Sequence, residues 1–204
     1  MLTNQDIRSF HRAAVLASVN IVNTVRPKDL HRSTPCDGWD LSQLLAHMTV
    51  QHRGFAAAAR GDGADPARWD TATVADAVAK DPAGAYAAAA ADVLAAFADD
   101  GVLDASFALP EFGPGAVFPG SQAIGFHFVD YVVHGWDVAR AIDAPFTLPD
   151  EVIAEVLPLV FAVPDGDFRA ASGSPFAPAI AAGDEVSDLD RILLHLGRSP
   201  AWRP

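Results

Sequence analysis

Residues 126–137 read FHFVDYVVHGWD, an apolar run that demands burial yet carries His127, Asp130 and His134. No other stretch restricts the fold as much. If the run is helical, each residue turns the chain by about 100°. The three polar residues then stand at i, i+3 and i+7 and fall within an arc of roughly 60°. Burying such a stripe without partners is costly, so neighbouring elements must answer it. A metal ion is one answer and a hydrogen-bond network is the other, and the residues leave both open.

The rest of the chain supplies helices to face that stripe. Ile7, Phe10, Ala14, Val15, Ala17 and Ile21 recur at helical spacing and predict a helix over 3–26, closed by Pro27. The stretch STPCDGWDLSQLLAHM turns at Pro35 and Asp37-Gly38, then enters a helix over 41–60. Asp40 is its expected cap, with Gln43 completing a capping box. Residues 71–99 give a short and a longer Ala-rich helix, broken at Asp81-Pro82. GVLDASFALPEFGPGAVFPG is too rich in Gly and Pro for a helix and suits a short hairpin or an irregular crossover. A long helix follows over 121–141, then a fifth with Asp150 as its expected cap. Residues 164–186 read as a loop, and VSDLDRILLHLG as a last short helix ending at Gly197. The pattern is that of an all-α bundle, with residues 1–163 forming the bundle and 164–204 packing on it as part of the same domain.

Composition removes whole classes of function. A formal net charge of −12 disfavours nucleic acid and anionic membrane surfaces, both of which recruit clustered Lys and Arg. The single cysteine, Cys36, rules out an internal disulfide and fits a reducing compartment. MLTNQDIRSFHRAAV lacks a basic segment followed by an apolar one, and GAYAAAAADVLAAFA is too weakly hydrophobic to span a bilayer. The expectation is a cytoplasmic protein acting on a small molecule, with a homodimer left open. Nucleophile elbows, phosphate loops, His-Glu-x-x-His and Cys-x-x-Cys are all missing from the sequence.

What remains is the stripe together with His47 in LLAHM, at the edge of the apolar face formed by Leu41, Leu44, Leu45, Met48 and Phe55. Bundle proteins build metal sites from inward residues on facing helices, and His with carboxylate suits zinc, nickel, iron or manganese. Asp137, one turn beyond His134, is a candidate to orient its ring. Gln51, one turn beyond His47, is a candidate to face the same cavity. Trp39 and Trp136 are read as packing residues, and Cys36 as an inert thiol for want of a visible base. His11 and His31 are expected to be solvated, and His52 and His195 to stand outside the site. Arg53 and Arg140 are candidates to meet an anionic substrate. No residue is assigned as catalytic.

TPCDGWDLSQLLAHM, followed some 80 residues later by DYVVHGWDVARA, resembles the DinB-like superfamily, and more narrowly its mycothiol-dependent maleylpyruvate isomerase-like members of actinobacteria. The ending LDRILLHLGRSPAWRP resembles one metal-binding subgroup of them. The resemblance implies a four-helix bundle with additional C-terminal helices, holding a divalent metal through three side chains. It assigns His47, Asp130 and His134 as ligands, with His127 as the alternative third. The family pattern usually has Glu at the position of Asp130, which is one methylene shorter. Zinc or nickel is the implied metal and mycothiol the implied cosubstrate. The implied function is a metal-dependent thiol transferase or isomerase acting on a small anionic or thiol-linked metabolite. The alternatives are a metal-dependent hydrolase on the same scaffold and a non-catalytic binding or stress protein with a hydrogen-bonded core.

Overall fold

The computed structural model describes residues 6–171, 174–183 and 185–204. Seven α-helices follow in order: α1 (Arg8–Val22), α2 (Leu41–Ala59), α3 (Ala72–Lys80), α4 (Pro82–Ala98), α5 (Gly120–Ala141), α6 (Asp150–Phe161) and α7 (Asp188–His195). The segment between α4 and α5 forms a two-stranded antiparallel hairpin, β1 (Ser106–Ala108) on β2 (Val117–Pro119), with Phe107 opposite Phe118. The expected start of the first helix at residues 3–5 lies outside the described residues. Its end comes earlier than expected, because the chain leaves the helix at Asn23 and needs four more residues to reach Pro27.

Local chemistry sets the registers that matter. Asp40 caps α2 by accepting from the Gln43 amide at 2.9 Å, and the Gln43 side chain returns the bond to the Asp40 N–H at 2.9 Å. That box starts α2 at Leu41 and so places His47 near the end of its second turn. Asp81 caps α4 by accepting from the Gly84 amide at 2.9 Å, with Pro82 at the first position of the helix. Asp150 is the first residue of α6, not its cap. Pro149 takes the cap position, and the Asp150 and Glu151 charges sit in the first turn.

Helices α1, α2, α4 and α5 make the bundle, with α1 on α5 and α2 on α4 as the most extensive packings. Helix α5 is the centre: 17 of its 22 residues are buried, as expected of a helix covered on every side. Leu41, Leu44, Leu45, Met48, Tyr86 and Tyr131 form one apolar cluster between α2, α4 and α5. Phe128, Val132, Val156 and Ile192 form a second, where α6 and α7 cover the far side of α5. Phe55, Phe97, Phe107 and Ile124 form a third beneath the hairpin. At Gly135 the ring of Phe146 lies so close that a Cβ would meet its Cζ at 2.6 Å.

The interior also holds a chain of imidazoles. His11 Nε2 on α1 lies 2.8 Å from His127 Nδ1 on α5, and His127 Nε2 lies 3.2 Å from His52 Nδ1 on α2. All three are buried, and the rings of His52 and His127 stack on Tyr131 with centroids 4.0 and 4.1 Å away. This corrects one reading of the sequence: His11 is not solvated. His52 stands outside the candidate donor group, as expected, and belongs to this buried network instead. A histidine's partners on other helices leave no mark at its own position.

Burial depresses the pKa of each of these rings, to about 3 for His11 and well below the ordinary value for His52 and His127. The unfolded chain therefore binds protons that the folded chain refuses. Stability is complete above the unfolded value near 6.5 and is lost as pH falls, by up to about 1.4 kcal/mol per pH unit for each imidazole. Urea denaturation midpoints should drop steeply between pH 7 and pH 5. A flat profile over that range would refute three buried neutral rings.

Candidate metal centre

The loop before α2 and the middle of α5 assemble the site. Helix α2 presents His47, and α5 presents Asp130 and His134 four residues apart, on one face. One ligand atom from each of the three lies within 4.8 Å of the others. The rings of His47 and His134 meet edge to face at 5.3 Å between centroids, and the Trp39 ring lies 5.0 Å from that of His47. Among the described residues, neither the His47 ring nor the Asp130 carboxylate has a hydrogen-bond partner, so both keep their donor atoms available.

His134 is oriented from behind. Its Nδ1 lies 3.0 Å from Asp137 Oδ2, which leaves Nε2 for the side facing His47. Asp137 is fully buried and is shared. The Cys36 thiol donates to Oδ2 at 3.1 Å, and the Arg198 guanidinium donates to both carboxylate oxygens at 3.3–3.4 Å. Arg198 Nη2 also lies 3.2 Å from the Cys36 sulfur. Cys36, His134 and Asp137 form a second compact donor group, but the guanidinium already supplies the cation there. The first group shares His134 with the second but has no guanidinium in contact with His47 or Asp130 among the described residues.

Electrostatics separate the three donors. Burial, helped by the neighbouring His134, depresses His47 to about 3, so its ring is neutral near pH 7. Burial also works against a charged His134, but hydrogen bonds to Asp137 and Cys36 outweigh it and raise its pKa to about 10. Asp130 is raised by burial, an effect tempered by His134 and Arg198. Asp137 is disfavoured by burial yet held below the ordinary carboxylate range by Arg198 and His134.

His127, the alternative third ligand, does not join this group. Its two ring nitrogens are turned to His11 and His52, although its Cα lies on the same stripe. Gln51 is buried beside the site, where its amide donates to Glu111 Oε1 at 2.6 Å. Glu111 comes from the turn of the hairpin. Burial and the charge of Asp130 raise its pKa, against the lowering effect of the Gln51 bond. Arg140 donates to the Pro200 carbonyl at 2.7 Å and lies over Trp136, while Arg53 lines a separate surface cavity with Arg60 and Arg68. Neither is placed to meet a ligand at the three donors. His195 caps its own corner at the Val163 carbonyl.

Residues 11–139 match the mycothiol maleylpyruvate isomerase N-terminal domain. The chain belongs to that family. An uncharacterized protein of Mycobacterium tuberculosis, in strains CDC 1551 / Oshkosh and H37Rv, is 30% identical over 189 residues, or 93% of this chain and 96% of that protein. A crystal structure of the mycothiol-dependent maleylpyruvate isomerase has the same fold, with a TM-score of 0.65 and 14% identity over 95% of this chain and 89% of that one. A histidine-to-alanine mutant of that isomerase gives the same TM-score at 13% identity, over 94% and 88% of the two chains. At such identity these structures speak to the fold, which is the all-α DinB-like bundle. Two residues of this mycothiol maleylpyruvate isomerase family member had no assigned place from sequence. Glu111 sits in a loop that gives no periodic signal. Arg198 lies in the GRSPAWRP ending, which points to a subgroup without assigning the residue a role.

Removing the Asp137 charge strands Arg198 in the interior. Asp137→Asn should cost about 3–5 kcal/mol of stability, the usual penalty for breaking a buried ion pair, measurable by urea unfolding. A loss below about 1 kcal/mol, the range of an exposed pair, would contradict the buried network.

Proposed function

We propose that the chain binds one divalent metal, zinc or nickel, through His47, Asp130 and His134, and serves a mycothiol-dependent isomerase or thiol transferase acting on a small metabolite. The observation that carries this is the donor set itself: three groups from two facing helices within 4.8 Å, with His134 already oriented by Asp137. Family membership supplies the reaction class. The donor chemistry fits the metal, since two imidazoles and one carboxylate suit zinc and leave coordination positions open, as reactive sites require. When bound, the metal supplies Lewis acidity toward a carbonyl or lowers the pKa of a thiol.

The residues of the chain do the rest. Asp137 fixes the rotation and tautomer of the His134 ring, and Arg198 and the Cys36 thiol fix Asp137. Trp39, 37% exposed, walls one side of His47. Because Arg198 reaches back to Asp137, residues 164–204 are part of the same working unit as 1–163 in this proposal. The shorter Asp130, in place of the family's usual Glu, would hold the metal either by drawing it toward α5 or through a water. The hydrogen-bonded-core alternative fits His127, whose nitrogens are satisfied by histidines, and does not fit His47 or Asp130.

His47→Ala and His134→Ala should each abolish one-to-one zinc binding measured by calorimetry and metal analysis, whereas His127→Ala should retain it. Loading near pH 7.5 should release about one proton per metal, because of the three ligands His134 holds its proton most firmly and metal must displace it. Chelation should leave far-UV circular dichroism nearly unchanged, since three apolar clusters hold the bundle. It should remove thiol-dependent turnover. Protein that never takes up zinc, or turnover indifferent to mycothiol, would overturn the proposal.

A further inference from the structure

We infer that the surface cavity between the start of α1 and the end of α4 binds a small organic monoanion, with Arg12 and the His11 ring holding its carboxylate and Leu94, Phe97 and Ala98 meeting its apolar body. None of the three donors of the metal-centre proposal lines this cavity, and the inference does not rest on them.

The cavity measures about 380 Å³, within the range of small-molecule sites. Arg8, His11 and Arg12 line it from α1, and Leu94, Phe97 and Ala98 from α4. Arg8 ties the two helices together. Its guanidinium clamps the Asp6 carboxylate through Nε at 2.9 Å and Nη2 at 2.7 Å, while Nη1 donates to the Phe97 carbonyl at 3.3 Å. Asp6, the carboxylate in the lining, is thereby neutralised. Arg12 stands one turn beyond Arg8 on α1 and is exposed, with no ion pair or hydrogen-bond partner among the described residues. The lining therefore carries one uncommitted positive charge. Asp100 acts on Arg8 from outside the lining, and the chain as a whole carries −12. Both oppose a second negative charge on the ligand, which favours a monoanion.

His11 is the second, independent observation. It lines the cavity although it is 1% exposed. Its Nε2 is committed to His127 at 2.8 Å, and its Nδ1 has no partner among the described residues. The sealed side-chain atoms without partners there are Thr49 Oγ1, His52 Nε2 and Arg140 Nε. His11 Nδ1 is not one of them, so this edge of the ring is the one that meets the cavity. Burial keeps the ring neutral near pH 7, and a neutral imidazole has one N–H and one lone pair. With Nε2 accepting, Nδ1 donates. A carboxylate accepts from that N–H with one oxygen and from the Arg12 guanidinium with the other, and bonds of this kind to a charged group are the strong ones. The Phe97 ring lies 5.1 Å from the His11 ring, so the polar and apolar walls adjoin.

Phenylacetate, phenylacetamide and acetate, titrated into the full chain and followed by NMR of ¹⁵N-labelled protein with its imidazole nitrogens, test the inference. Phenylacetate should bind at least about tenfold more tightly than either of the others. It should shift the Leu94 and Ala98 amides, the Arg12 Nε–H and the His11 Nδ1 signal. Arg12→Gln, an exposed substitution, should reduce the margin over the amide to under about threefold with the rest of the spectrum in place. Absence of the phenylacetate preference, a margin that survives Arg12→Gln, or a His11 ring that does not respond would each overturn the inference. So would shifts confined to the surroundings of His47 and His134, which would put the anion at the metal centre instead.

Discussion

The buried carboxylate of Asp137 is the interaction on which the site depends. A single side chain on α5 accepts from the His134 ring, the Cys36 thiol and the Arg198 guanidinium. These groups come from the loop before α2, from α5 and from the C-terminal turn. A charge with no solvent contact is tolerable only because opposite charge and hydrogen bonds meet it on every side. The same contacts that make it tolerable fix the direction in which His134 points. Orientation of the candidate ligand and closure of the C-terminal segment over the bundle are therefore one physical event.

Around that anchor the helices act as rulers. The four-residue step puts Asp130 and His134 on one face of α5, and the same step on α2 puts Gln51 beside His47. The hairpin between α4 and α5 then needs only a short reach to hand Glu111 to Gln51. Each of these placements follows from a register set elsewhere: the Asp40–Gln43 box for α2, and the close packing of Phe146 on Gly135 for α5.

Periodicity and capping made much of this readable from sequence. The apolar spacing of the helices, the Asp40 box and the break at Asp81-Pro82 are local signals, and the chain obeys them. The pairing of His47 with the α5 stripe was legible because a polar stripe on a buried helix must be answered by a facing one. His127 was harder. It lies on the same stripe as Asp130 and His134, yet it sits one turn toward the N-terminus, at the level where His11 and His52 reach in. Only the packing of α1 and α2 against α5 reveals that level, and nothing in the neighbourhood of residue 11 or 52 announces it. Arg198 was hidden for the same reason, being 61 residues from the carboxylate it neutralises.

The imidazole chain has a direction. Each neutral ring donates once and accepts once, so the two hydrogen bonds linking His11, His127 and His52 must run the same way along the row. At the inner end His52 Nε2 has no partner. A stranded N–H is rarer in buried sites than a stranded acceptor, so the row points outward, from His52 through His127 to His11. That assigns the Nδ1–H form to His52 and His127. At the outer end His11 accepts at Nε2 and keeps its own proton on Nδ1, beside a surface cavity lined with Asp6 and Arg8. Three rings on three helices thus share one orientation of protons. Reversing any one of them would require reversing all, which makes the interior of this bundle a polar lattice with a single sense.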